Sequence, residues 1–197
     1  AGLSLALVAL PTTAAPKADL WERWTVHDPS AVTTIDHGRW DHFLKTYVSA
    51  FPDGVNRLAY ARVSETDRKR LDRYIDDLVA LPISAYSRND QRAYWINLYN
   101  ALTVQLILDH YPVKSIRHIK PHPFAIGPWR KKLITVEGER LSLDDIEHRI
   151  LRPIWRDPRL HYAVNCAAIG CPNLQTEAYT ASNADTLLDR GAKTYVN

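Results

Sequence analysis

Methionine is absent from the 197 residues, and only two cysteines, three phenylalanines and seven glycines occur. The scattered glycines form neither G-x-G-x-x-G nor G-x-x-x-x-G-K, the loops whose backbone N–H groups cradle phosphates. G-x-S-x-G is missing too, so the sharp turn that presents a hydrolase serine has no sequence to build it. Histidine and cysteine follow no zinc spacing, and neither a metal nor a cofactor is expected. Charge of one sign is scarce: 25 Lys and Arg against 22 Asp and Glu leave +3. The densest basic runs, Arg68-Lys69-Arg70 and Arg130-Lys131-Lys132, read as solvated faces, and no nucleic-acid partner is expected. No apolar run reaches the ~18 residues of a membrane helix, so no stable membrane span is expected.

What is present suits a folded domain. Hydrophobic residues make up 46% and charged residues 24%, values of a globular chain. Residues 1–19 stand apart. Gly2 to Leu10 are apolar, and Pro11, Thr12, Thr13, Ala14 and Ala15 follow. This reads as a signal-peptide remnant and disordered lead, cut near Thr12-Thr13-Ala14. The protein is expected to be periplasmic or secreted, and the sequence to begin inside a longer gene product. Residues 20–197 are expected to form a single domain that continues past Asn197.

Apolar spacing predicts the elements. Leu20 to Trp24 is a first ordered piece. Trp40, Phe43, Leu44, Tyr47, Val48 and Phe51 fall at helical intervals. A second helix covers 67–81, with Ser64 and Asp67 as capping candidates. The third and longest runs from Arg88 to His110 and stops at Tyr111-Pro112. Apolar nearly all round, it should be buried on most faces, with Asn97 and Asn100 sharing one of them. Residues 117–130, broken by prolines, form a surface loop. Leu133–Val136 and Arg140–Ser142 flank Glu137-Gly138-Glu139 as a β-hairpin. Ser142 caps a helix over 143–151. Residues 160–165 read as a strand and 181–196 as a last helix. Helices followed by a small antiparallel sheet imply a helix-rich α+β fold.

Chemistry is expected at the end of the 160–165 strand. Cys166 follows Asn165 there, and a helix N-terminus after it would lower a thiol pKa and hold an oxyanion. His148 is the better histidine partner, since His161 on a regular strand faces away from Cys166. Asp144, four residues before His148, could orient the imidazole. Glu147 points about 100° away from His148 on an α-helix. Three readings of the cysteines stay open: a structural Cys166–Cys171 disulfide, a nucleophile, and a metal ligand.

Four stretches carry a family resemblance. They are Ala93-Tyr94-Trp95-Ile96-Asn97-Leu98-Tyr99-Asn100-Ala101-Leu102, Tyr111-Pro112-Val113-Lys114-Ser115-Ile116, 141–152 (LSLDDIEHRILR) and 157–167 (DPRLHYAVNCA). In order and spacing they resemble the domain-of-unknown-function 547 family, over about residues 36 to 197. The family is distantly similar to papain-like and transglutaminase-like folds with permuted elements. That resemblance implies that the Glu147-His148 and Asn165-Cys166 pairs supply the site; Cys166, His148, Glu147 and Asn97 are the expected catalytic residues, with Asn165, Asn100, His161 and Asp144 as expected binding residues. It implies acyl transfer: His148 deprotonates Cys166, and the thiolate attacks an amide or ester carbonyl of a peptide or small molecule. The competing expectation is a non-catalytic periplasmic binding or scaffold module with a structural Cys166–Cys171 pair.

Overall fold

The computed structural model describes residues 17–167 and 170–196; the apolar stretch read as a signal-peptide remnant lies outside them up to residue 16. Its centre is the long helix predicted to be apolar nearly all round. This helix, α3, spans Arg88–His110, and Ser87 caps it by accepting from the Asp90 N–H at 3.2 Å. Nearly every residue from Asp90 to Leu108 is buried. Such a helix has no solvent face, so other elements surround it. Two that precede it are α1 (Gly38–Tyr47) and α2 (Glu65–Val79). Ser64 caps α2 as expected, accepting from the Asp67 N–H.

The first helix is shorter than its apolar spacing predicts. It ends at Tyr47, and Val48–Ala50 (β1) pairs antiparallel with Asn56–Leu58 (β2). The turn at Gly54, with φ +78°, closes this hairpin, a conformation open to glycine at little cost. The second hairpin lies where it was predicted: β3 (Ile134–Val136) pairs with β4 (Glu139–Leu141). The fold is thus α+β, helix-rich, with two small antiparallel sheets rather than one.

Two expectations after β4 are corrected. The segment expected as an α-helix over 143–151 is a π-helical turn over Asp145–Leu151, followed by α4 (Arg152–Trp155). The Ser142 hydroxyl still caps it, accepting from the Asp145 N–H while the Asp145 carboxylate accepts from the Ser142 N–H at 2.9 Å. This is a reciprocal capping arrangement. The expected strand 160–165 is not a strand either. Pro158–Tyr162 forms a 3₁₀ turn, because Asp157 accepts from the Arg159 N–H and Pro158 has its φ set for a helix start. The chain then runs irregularly to Cys166. The last helix, α5, covers Ala184–Val196.

The core is aromatic-rich. Trp40, Trp95, Tyr94, Tyr99 and Tyr179 are among its largest fully buried side chains. A smaller cluster of Leu106, Ile107, Ile116 and Ile119 packs at the far end of α3, and Ala167 and Trp129 border it.

Candidate active site

Asn97 and Asn100 lie on one face of α3, as their spacing requires, but both are committed to backbone. The Asn97 amide donates to the Tyr179 carbonyl at 2.7 Å and accepts from the Tyr179 N–H at 3.1 Å. Asn100 donates to the Ala163 carbonyl and accepts from the Asn165 N–H, both at 2.9 Å. Asn165 continues the chain of bonds. It donates to the Pro172 carbonyl at 2.6 Å and accepts from the Ala167 N–H at 2.9 Å. Three amides therefore pin two irregular segments onto the central helix. Buried amides require such partners.

The loop that Asn165 closes is closed a second time, by a disulfide between Cys166 and Cys171. A bridged sulfur has no proton to give up and is no thiolate nucleophile. Of the readings left open for these cysteines, the structure shows the disulfide, and a nucleophilic thiol is not present in the oxidised chain. His161, expected on a strand, is exposed on the 3₁₀ turn.

The Glu147–His148 pair is where burial and charge meet. His148 is 9% exposed. Its Nδ1 accepts from the Arg152 guanidinium at 3.0 Å. Arginine has no acceptor, so a neutral His148 bonded this way carries its proton on Nε2. Burial above all lowers the imidazole pKa. The charge of Asp144 opposes this, while Arg152, Arg130 and His161 act with it. Asp144 does not touch the ring: its carboxylate meets Arg130 at 3.3 Å and its N–H donates to the Trp129 carbonyl.

Glu147 lies 3.8 Å from His148 Nδ1. With a neutral imidazole this is a contact and not an ion pair. Burial pushes the Glu147 carboxyl up from 4.5 to about 7. A hydrogen bond from Tyr99 and the charge of Arg152 pull the other way, and the Asp144 charge adds to the rise. The carboxyl is thus half ionised near neutrality, where an acid–base group works best.

The support of this pair comes from distant sequence. The Asp19 and Trp21 N–H groups donate to the His148 and Arg149 carbonyls, each at 3.0 Å. The Arg149 guanidinium lies 4.4 Å from the centre of the Trp21 ring. The π-helical turn is therefore held from outside by the 19–21 segment and from inside by Tyr99. Such turns often mark functional positions.

The family model described as "Protein of unknown function, DUF547" matches residues 83–196. The chain belongs to this family. Neither the curated proteins nor the solved structures contain a match. The matched stretch begins at Ile83, so α1, α2 and the first hairpin precede it. Of the residues just described, those from α3 to Cys171 fall inside the DUF547 stretch and Asp19 and Trp21 outside it.

Two neighbours of the site were not anticipated from this DUF547 sequence. Arg152 is four residues past His148, a spacing at which helical side chains meet. Tyr99 sits between the two asparagines and had no separate signal. Among the described residues no hydrogen bond links His148 to Cys166. Two cavities, of about 230 and 490 Å3, lie elsewhere, along residues 34–41. In the oxidised chain Cys166 is thus bridged to Cys171, while His148 lies against Glu147.

Proposed function

We propose that this DUF547 domain is an exported enzyme that cleaves or transfers an acyl group at an amide or ester, with Glu147 and His148 as its acid–base centre. One observation supports the reading most: a buried carboxyl that titrates to about 7 beside a histidine held neutral. Perturbed neighbouring groups of this kind concentrate at functional sites. Ionised Glu147 takes the proton of the attacking group. The His148 Nε2–H stabilises the carbonyl oxygen as negative charge builds on it. Protonated Glu147 then returns its proton to the departing amine or alcohol. Cys166 is the attacking group once a dithiol has reduced its bridge to Cys171, the dithiol becoming a disulfide; its thioester is then resolved by water. This assigns His148 the role of donor rather than the base that the sequence suggests. The Cys166–Cys171 bridge and the apolar N-terminal stretch support an oxidising compartment, periplasmic or extracellular.

The bridge and the three committed asparagines also favour a second reading, a non-catalytic binding module. Activity separates the two. A panel of activated esters and peptide amides is to be assayed with and without dithiothreitol. The expected result is turnover that appears on reduction, disappears with Cys166→Ser, and rises with pH through about 7. Glu147→Gln should lower kcat by roughly 100-fold or more, the usual contribution of a positioned acid–base group. Absence of turnover in both redox states, with reduced Cys166 alkylating no faster than a model thiol, would establish the binding module instead.

A further inference from the structure

Residues 110–136 hold six of the chain's 25 Lys and Arg and none of its 22 Asp and Glu. The rest of the chain is therefore net acidic, and the positive charge is local. Within this stretch the structure sorts side chains sharply. Ile116 and Ile119 are buried in the cluster at the end of α3. Lys114, Arg117, Lys120 and Lys131 are exposed and form no ion pair among the described residues. Arg130 and Lys132 do pair, with Asp144 and Asp145. At the tip, Phe124 is 92% and Ile126 78% exposed.

The tip is a built feature. Gly127 has φ +79°, and a Cβ there would sit 2.2 Å from the Trp129 ring. Glycine alone allows the chain to turn over that indole. The Ala125 N–H donates to the His122 carbonyl, and Pro121, Pro123 and Pro128 have no N–H to satisfy. Four of the tip's backbone N–H positions are thus already bonded or missing, which lowers the cost of moving it out of water.

We propose that this loop docks the protein on an anionic phospholipid surface. Phe124 and Ile126 enter the boundary between headgroups and acyl chains, and the surrounding cations meet lipid phosphates. Single-stranded nucleic acid would also attract the cations and could stack on Phe124, but the exposed Ile126 offers it no stacking face and suits an acyl layer. No helix among the described residues is long and apolar enough to cross a membrane, so the docking is peripheral. The proposal does not depend on the chemistry of Glu147 and His148.

Sedimentation of the full chain with vesicles tests it, using phosphatidylglycerol and phosphatidylcholine in equal parts against phosphatidylcholine alone. Binding to the anionic vesicles and weakening by salt are expected. The pair Phe124→Ser and Ile126→Ser should weaken it by at least about tenfold. Changing Lys114, Arg117, Lys120 and Lys131 to Gln should cost several hundred-fold, at roughly fivefold per cation. All six side chains are exposed, and unchanged circular dichroism and thermal unfolding confirm that the variants fold. Lack of binding to anionic vesicles overturns the proposal. So does binding that the Phe124 and Ile126 pair leaves intact, or tighter binding to a single-stranded oligonucleotide that the cation variant abolishes.

Discussion

Glu147→Gln is expected to stabilise the folded chain at about pH 8 by on the order of 3 kcal/mol, and to give no such gain at about pH 4. The folded carboxyl titrates at about 7 instead of 4.5. The folded state therefore holds a proton that the unfolded state has released between these values. Stability from this group is complete below 4.5 and is lost as pH rises through about 7. At about 1.4 kcal/mol per unit, the ionised carboxylate costs roughly the figure above once pH exceeds 7. Gln keeps the shape and an acceptor for Tyr99 but never ionises.

The wild type should conceal much of this slope. His37 is 4% exposed, bonded through Nδ1 to the Tyr74 hydroxyl at 2.7 Å. Burial lowers it from 6.5 to about 4, against the charges of Asp36 and Asp90. The sign is opposite: its contribution is present above 6.5 and lost as pH falls toward 4. Lowered His148 acts in the same sense. Over nearly the same window the rise of Glu147 and the fall of His37 oppose each other with similar size, and His148 adds to the His37 side. Urea titrations across pH should show a shallow wild-type profile, and an acid side that steepens in Glu147→Gln because only the histidines remain. A parallel pair of profiles would mean that Glu147 titrates as an ordinary carboxylate.

Asn97→Ala is expected to cost on the order of 4 kcal/mol. Asn97 is wholly buried, and Tyr179 is 1% exposed. Removing the amide strands both the N–H and the C=O of Tyr179 away from water, at about 1–3 kcal/mol each. Asn97→Asp separates bonding from packing. It has the same shape and keeps the acceptor for the Tyr179 N–H, yet it sets an oxygen against the Tyr179 carbonyl. It should therefore also destabilise, by about 2 kcal/mol or more. Urea unfolding measures both. If Asn97→Asp abolished turnover with unchanged stability, the amide would be a positioning residue for the site.

These cases show what was readable beforehand. The mostly apolar stretch from Ala93 to Leu102 read as a buried helix, and Ser64 and Ser142 marked helix starts by local hydrogen bonding, which depends on nearby residues alone. The β3–β4 hairpin was equally local. The partners of Asn97 and Asn100 were not, since they lie 82 and 63 residues away. That both asparagines needed partners followed from their burial; which partners required the fold. The 160–165 stretch reads as a strand by composition, but the Asp157-Pro158 pair before it starts a turn. The π-helical geometry shares its apolar spacing with an α-helix over one or two turns, so nothing local distinguished them. Glu147 is perturbed chiefly by its burial, which only the assembled fold produces. Charge counting detected Arg130-Lys131-Lys132 but not the exposed Phe124 and Ile126 nearby, because exposure of an apolar side chain has no local sign.

The central claim is that Glu147 is a carboxyl tuned to neutrality beside a neutral His148. The direct measurement is the side-chain carboxyl shift of Glu147, followed by NMR against pH in 13C-glutamate-labelled protein and assigned by its disappearance in Glu147→Gln. A midpoint at about 7 is predicted. A midpoint at the ordinary 4.5 would contradict the account, leaving Glu147 an ionised surface-type carboxylate at neutral pH and the pair no acid–base centre.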